Sequence, residues 1–163
     1  MSSRHPAHLA DLIRRSASET KVSEILAGGA PQITPGAATE TGEAADLEIL
    51  LDGGGQPLAA GVKCDLPIDF ACTVTSWTIL GDQAGSIQID LWKSSYATFP
   101  PVVGGSMPGA SANKPQATGT VKAQGGVAGW IQSAIAAGEI VRVNVDSVAA
   151  FTRVTLGLTV RRT

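Results

Sequence analysis

The feature that most constrains this chain is the stretch from Phe70 to Pro101, which contains two of the three Trp, the only Tyr and two of the three Phe. Apolar and polar side chains alternate from Ala71 to Leu80, and the alternation resumes from Ser86 to Leu91. A period of two is typical of a half-buried β-strand. Because Gly81 to Gly85 between the two runs has turn composition, the sequence predicts an antiparallel hairpin here.

Further strands are predicted on both sides of this stretch. The segment Leu47 to Leu51 is a short strand that ends at a Gly-rich turn, and Gly61 to Ile68 is the next strand, which Pro67 restricts to a sheet edge or a bulge. Residues 107–124 predict a long polar loop with one strand at 117–121, and residues 128–136 predict one or two helical turns. Alternation at 141–146 and 153–161 predicts two closing strands, which gives about eight strands and a β-sandwich or barrel.

The apolar positions of these alternating runs predict the hydrophobic core. Burying them on one side of each strand is what period-two alternation implies. They are Val74, Trp77, Ile79, Ile87, Ile89, Leu91, Val143, Val145, Val154, Leu156 and Leu158.

Residues 1–29 are helical by pattern, with Leu9, Leu12 and Ile13 on one helix face and with Val22, Ile25 and Leu26 at the end of a second short helix. A helix this short is not stable alone in water, so it packs either on its own β domain or on another protein. We favour the second interpretation, a docking anchor. Residues 30–46 are rich in Pro, Gly, Thr and Ala and predict an extended linker, so the β domain spans residues 47–163.

The composition argues against several classes of function. The net charge of −2 gives no basic stripe for nucleic acid, and no apolar run is long enough to span a membrane. Charges interrupt the apolar part of the N-terminus, so we expect no secretory signal and synthesis in a cytoplasm. We expect no cofactor, no metal site and no enzymatic activity, because His5 and His8 lack a third ligand and no nucleophile or phosphate-loop motif is present.

Two groups of residues remain open to more than one interpretation. Trp92, Tyr96 and Phe99 are either packing residues or a contact surface that stacks on a glycan or anchors a protein partner. Cys64 and Cys72 are a reduced pair, an interchain disulfide or an intrachain disulfide, in that order of preference. Alternation with Val74 places Cys72 on the buried side, whereas Cys64 is expected to be exposed.

Several separated motifs together carry a resemblance to a known family. They are LDGGG at 51–55, GVK at 61–63, the run from Leu66 to Pro101, GW at 129–130, AIAAGE at 134–139, NVDSV at 144–148 and RVTLGLTVRRT at 153–163. In this order they resemble a jelly-roll-like domain found in fibre and minor virion structural proteins of tailed phages and prophages. The resemblance covers residues 47 to 163.

The resemblance implies a mainly β, jelly-roll-like antiparallel sandwich behind a short helical anchor and a linker. It also implies a virion structural protein, namely a decoration, fibre or spike of the head or neck that is made in the host cytoplasm and self-associates as a homotrimer. Its other partners would be capsid, portal, neck or tail proteins. The alternative is a receptor-binding module of a tail fibre or tail tip that recognises a host surface glycan.

Overall fold

The computed structural model describes residues 42–163. The predicted docking residues from Leu9 to Leu26, and linker residues 30–41, lie outside the described residues. The described part is mainly β, as the alternating patterns predict. It contains no α-helix, and within residues 42–163 no helix is long and apolar enough to cross a membrane.

Seven strands and three short 3₁₀ turns follow one another along the chain. The 3₁₀ turns lie at Tyr96–Thr98, Val103–Gly105 and Ser111–Asn113. The strands are β1 (Ala44–Asp52), β2 (Gly61–Ile68), β3 (Cys72–Ser94), β4 (Gln116–Gly126), β5 (Ala134–Ile135), β6 (Glu139–Ala149) and β7 (Arg153–Arg162).

All strand pairs are antiparallel, and the order across the sheet is β1-β7-β3-β6-β2, with β4 and β5 also paired to β3. The long strand β3 pairs with β7 over residues 72–81 and with β6 over residues 86–94. We call β1, β7, β3 residues 72–81 and β4 residues 122–126 the β1 half, and β2, β6 and β3 residues 86–94 the β2 half. The curled sheet that results is consistent with a β-sandwich.

The predicted hairpin at Gly81 to Gly85 is wrong, because β3 continues through this segment without a turn. The two glycines serve close packing instead. A Cβ atom at Gly81 would lie 2.1 Å from the ring of Phe151, and one at Gly85 would lie 3.0 Å from the same ring. Phe151 is fully buried in the β6–β7 connection, so the strand changes partner around this ring.

A register shift in β3 explains how residues at even-numbered and odd-numbered positions of the strand both face the core. Val74 pairs with Val160, whereas Ser76 pairs with Thr159, so Thr75 is an extra residue. Such a bulge turns the following side chains to the other face. Both Val74 and Trp77 therefore point inward.

Every residue that alternation assigns to the core is at most 9% exposed. These buried residues lie on β3, β6 and β7. The core therefore lies between the β1 half and the β2 half. Several core members carried no alternation signal. These are Leu58, Met107, Ala117, Ile135 and Phe151.

Three other predictions differ from the structure. Residues 128–136 form turns and the two-residue strand β5 rather than helical turns, and β4 is longer than the strand predicted at 117–121. Strand β1 begins at Ala44, inside the predicted linker, because residues 44–46 pair with β7. The prediction for Pro67 is confirmed, since β2 is an edge strand with a register shift after Val62.

Candidate functional site

The chain leaves β3 through a segment that exposes large apolar side chains, residues 95–105, which we call the aromatic loop. Tyr96 is 84% exposed and Phe99 is 51% exposed. Val102 and Val103 are also exposed, so aromatic and aliphatic groups share this loop. Contiguous exposed apolar side chains are a feature of contact sites rather than of ordinary surface.

Arg142 on β6 fixes the aromatic loop to the sheet. Its Nε and Nη2 atoms donate to the two carboxylate oxygens of Asp65 on β2, both at 2.7 Å, and its Nη1 atom donates to the Pro101 carbonyl at 3.1 Å. The guanidinium also lies 5.7 Å from the centroid of the Phe99 ring, within the range of a cation–π contact. The hydrogen bond from Arg142 lowers the pKa of Asp65, and the carboxylate in turn raises the pKa of Arg142.

Trp92 differs from the other two predicted surface residues. It is half-buried within β3, directly opposite Arg142 on β6. Its indole Nε1 atom is buried without a hydrogen-bond partner. Arg142 is therefore the cross-strand partner of Trp92 and also lies over the Phe99 ring, while Phe99 and Tyr96 are the exposed aromatic residues of the three.

A buried charge cluster lies behind the aromatic loop, in the segment that leads to β4. Asp90 of β3 is 1% exposed; its Oδ1 atom accepts a hydrogen bond from Ser106 Oγ at 2.7 Å, and its Oδ2 atom lies 2.8 Å from Lys114 Nζ. Lys114 Nζ also lies 2.6 Å from Asp146 Oδ2. A carboxylate this deeply buried needs such compensation, so the cluster holds residues 106–114 against the sheet.

The pKa of Lys114 reflects two opposing influences. Burial lowers the pKa, but hydrogen bonds to Asp146 and Asp90 outweigh it, so that the net shift is upward. The amine is consequently held as a cation between two carboxylates, which suits an ionic tie and not a nucleophile.

A second surface feature is a shallow cleft of about 260 Å³ between β3 and the loop before β5. Trp77 and Trp130 both line it, together with Asn113 and Gln116. Trp130 Nε1 donates to the Asn113 carbonyl at 2.9 Å, and the Asn113 side chain donates to the Gly129 carbonyl at 2.5 Å. The cleft thus combines indole rings with amide groups, a combination that suits a polar ligand with apolar faces.

Both cysteines are free thiols in the structure. Cys72 is fully buried at the start of β3, and Cys64 is half-buried on β2, more covered than the sequence predicts. Burial is the main cause that raises the pKa of each thiol. Because the thiolate is the reactive form, neither residue has the environment of a reactive cysteine.

Sequence reasoning identified Tyr96 and Phe99 but missed Arg142, Lys114 and the Trp77–Trp130 cleft. Arg142 lies in an alternating strand, where a polar residue is expected to face solvent, and nothing nearby in the sequence indicates that Phe99 will lie over it. The partners in the cleft are far apart in the chain. Only strand pairing brings them together, so no local signal marks them.

Two carboxylates described above have basic partners. Asp65 is held by Arg142, and Asp90 is held by Lys114 and Ser106. No protein-family model matches the chain, and no curated protein matches it.

Proposed function

We propose that the chain is a structural protein of a tailed-phage virion, a decoration or fibre of the head or neck. Residues 1–29 dock on the particle, and the β domain is displayed as a homotrimer with a jelly-roll arrangement. The observation that carries the proposal is that the motifs of the resemblance occupy structurally distinct positions of a single β domain, Ala44 to Arg162.

Those positions have physical roles in the fold. In the LDGGG motif, Asp52 Oδ1 accepts a hydrogen bond from Gly54 N at 2.7 Å, which closes the turn after β1. The central aromatic motif is the continuous strand β3 with the aromatic loop, and RVTLGLTVRRT is strand β7. The motifs occur in the order found in the resembling virion domain, and each has a different role in the fold. This supports an architecture in common with that domain.

The aromatic loop supports a role in assembly. Tyr96, Phe99, Val102 and Val103 expose aromatic and aliphatic side chains within one loop, and a protein partner would cover them. Aromatic anchors of this kind dominate the energetics of protein contacts. The ion pair between Arg142 and Asp65 holds the loop in place before any partner arrives.

The test is location on particles. Phage particles from the host that encodes the chain are purified on a density gradient and labelled with antibody against the β domain. We expect label at the head or neck, and absence of the chain from purified particles would overturn the proposal. A chain lacking residues 1–40 should fold as an all-β oligomer but fail to join particles, and its failure to fold would contradict a separable anchor.

The second candidate function is recognition of a host surface glycan at a tail fibre or tail tip. The specific observations that favour it are the 84% exposure of Tyr96 and the cleft between Trp77 and Trp130. Aromatic rings stack on the apolar faces of sugars while amides such as Gln116 bind hydroxyl groups.

Label at the tail tip, together with binding to host polysaccharide that Tyr96→Ala or Gln116→Ala weakens, would favour this candidate. Binding that neither substitution changes would count against it. Val62→Ser, on β2, is the matched control for loss of an exposed apolar side chain.

A further inference from the structure

Apart from the two-residue strand β5, three strands have an unpaired edge among the described residues, and their compositions differ. Strand β2 carries Lys63, Asp65 and Pro67 along its edge. Strand β1 carries three acidic residues and no basic one, whereas Lys122 is the only charged residue in the 11 residues of β4. Charges and proline on an edge are the usual protection against pairing with another chain, so β4 is the least protected of the three.

Strand β1, with its acidic residues, and strand β4, with Lys122, belong to the same sheet. In the β1 half the order is β1, β7, β3, β4, so β1 and β4 are its opposite borders. On the outward face, one cross-strand row runs from Leu50 through Thr155 and Leu80 to Lys122. The neighbouring row begins at Glu48 and passes through Gly157.

The outward face along this row is exposed. Leu50 is 59% exposed and Leu80 is 51% exposed. The register places Thr159 opposite Asp46 and Gly157 opposite Glu48, so neither acidic residue faces a cation across the β1–β7 pair. Asp52, by contrast, lies opposite Arg153, and Asp46 lies diagonal to Arg161, so Glu48 is the acidic residue of β1 that a basic residue of another chain would best complement.

We propose that copies of this chain join edge to edge, with β4 of one subunit pairing with β1 of the next. Strands β1 and β4 run in opposite directions, because three antiparallel pairings separate them. A rotation axis parallel to the strands preserves strand direction, so the new pair is antiparallel and the sheet is continuous across the junction. Such a head-to-tail contact forms a closed ring when the rotation closes, as in a trimer.

The same geometry sets the contacts at the junction. A rotation about that axis without a shift along it brings Lys122 of one subunit beside Leu50 of the next, at the height of the shared row. Glu48 and Asp52 are then the diagonal neighbours of Lys122, within reach of its long side chain. This inference deepens the homotrimer component of the proposed function, on which it rests, by naming the surfaces that make it.

The first experiment uses charge. Self-association of the full chain is measured by analytical ultracentrifugation for Glu48→Lys, for Lys122→Glu and for the two combined. We expect each single change to weaken association by about tenfold, because like charges then meet, and the combination to restore it. Lys63→Glu on β2 is the matched control and should change nothing. A monomeric wild type, or single changes without effect, would overturn the junction.

The second experiment uses a disulfide that only two different copies can form. Leu50→Cys and Lys122→Cys lie three strand spacings apart within one subunit, roughly 14 Å, whereas a disulfide needs Cα atoms about 4.4–6.8 Å apart. After mild oxidation, non-reducing gels of the double variant should show a ladder that stops at the trimer, and each single variant and the wild type should show no ladder. A ladder that extends beyond the trimer contradicts ring closure, and cross-linking of a single variant contradicts the head-to-tail junction.

The two experiments separate this inference from the proposed function. If the chain is on particles but the edge variants associate as the wild type does, the junction is wrong and the virion role stands. If the edge variants dissociate but the chain is absent from particles, the junction stands and the virion role is wrong.

Discussion

The outward faces of the two halves of the sheet differ in their exposure to solvent. In the β1 half, outward residues of the inner strands such as Leu80 remain exposed. In the β2 half, the equivalent outward residue Asp90 is 1% exposed, because Ser106 and Lys114 lie over it. After the bulge at Thr75, one strand, β3, contributes to both halves with the same side-chain alternation.

The difference shows that alternation defines which side chains face the core and not which of the others face water. An Asp between Ile89 and Leu91 is read as solvated in any strand pattern, yet here it is the most buried charged residue among those described. Its burial depends on a segment that lies 16 to 24 residues further along the chain. The exposed face is the one that remains available for contacts between copies.

The largest expected effect is at the point where the two halves meet. Phe151 is fully buried against Gly81 and Gly85, so Phe151→Ala removes the ring around which β3 changes partner. We expect a loss of about 3–5 kcal/mol in the free energy of unfolding, measured by urea denaturation.

A double-mutant cycle sharpens the same point. Gly81→Ala alone should cost about 1–3 kcal/mol, since its Cβ would collide with the ring, and it should cost less in the Phe151→Ala background. Equal costs in both backgrounds would show that the glycine is needed for its backbone conformation and that the packing explanation is wrong.

The next prediction concerns the β2 half and its buried charge cluster of Asp90, Lys114 and Asp146. Lys114→Met leaves Asp90 without its cation, and loss of one partner of a buried ion pair costs about 3 kcal/mol or more. Lys63→Met, on the edge of β2, is the matched change outside the cluster and should stay within about 0.5 kcal/mol.

Adding Asp90→Asn to Lys114→Met should restore part of the loss, because the uncompensated charge disappears. If Lys114→Met is as mild as Lys63→Met in urea unfolding, the ion cluster does not hold the covering segment and the contrast between the halves has another origin.

Much of the fold could be predicted from the sequence because its strands keep a local signal. Alternation placed Val143, Val145 and Val154 in the core correctly, and Pro67 marked the edge strand. The hairpin prediction failed because a glycine can mark either a turn or a place where another group packs closely against the backbone. The sequence shows that Gly81 and Gly85 lack side chains, but the reason is the ring of Phe151, far along the chain.

The candidate site was less predictable for the same physical reason. The exposure of Tyr96 and Phe99 follows from their place in a Pro-rich exit from a strand, and aromatic residues there carry a local signal. The role of Arg142 depends on Asp65 across one strand pair and on Pro101 in the loop. Contacts between distant parts of the chain leave no periodic pattern, so only the pairing of β2, β3 and β6 could show them.

A smaller difference is expected between two tryptophans that line the same cleft. Trp77 is 9% exposed and belongs to the core of the β1 half, while Trp130 is half-buried and lies in a loop. Trp77→Ala should therefore cost about 1–2 kcal/mol more than Trp130→Ala, within the spread of large-to-Ala changes. Equal urea midpoints, at equal slopes, would contradict the assignment of Trp77 to the core.

The smallest effect concerns pH and the ion pair at the edge of the β2 half. The hydrogen bond from Arg142 lowers the pKa of Asp65 below its ordinary value of 3.8. A carboxyl with a lowered pKa in the folded state adds stability that is fully present well above pH 3.8 and is lost as the pH falls through the folded pKa. Asp65→Asn should therefore reduce the loss of stability on acidification below about pH 4 relative to the wild type.

Arg142→Gln should reduce that acid-dependent loss in a similar way, because it removes the donor that lowers the pKa of Asp65. The double variant should then show no further reduction beyond that of Asp65→Asn alone, since both changes remove the same interaction. Thermal unfolding followed by circular dichroism from pH 6 to pH 2.5 measures the effect. Additive changes in the double variant would mean that Arg142 acts on acid stability through a carboxylate other than Asp65, because its contacts with Pro101 and Phe99 involve no group that titrates in this pH range.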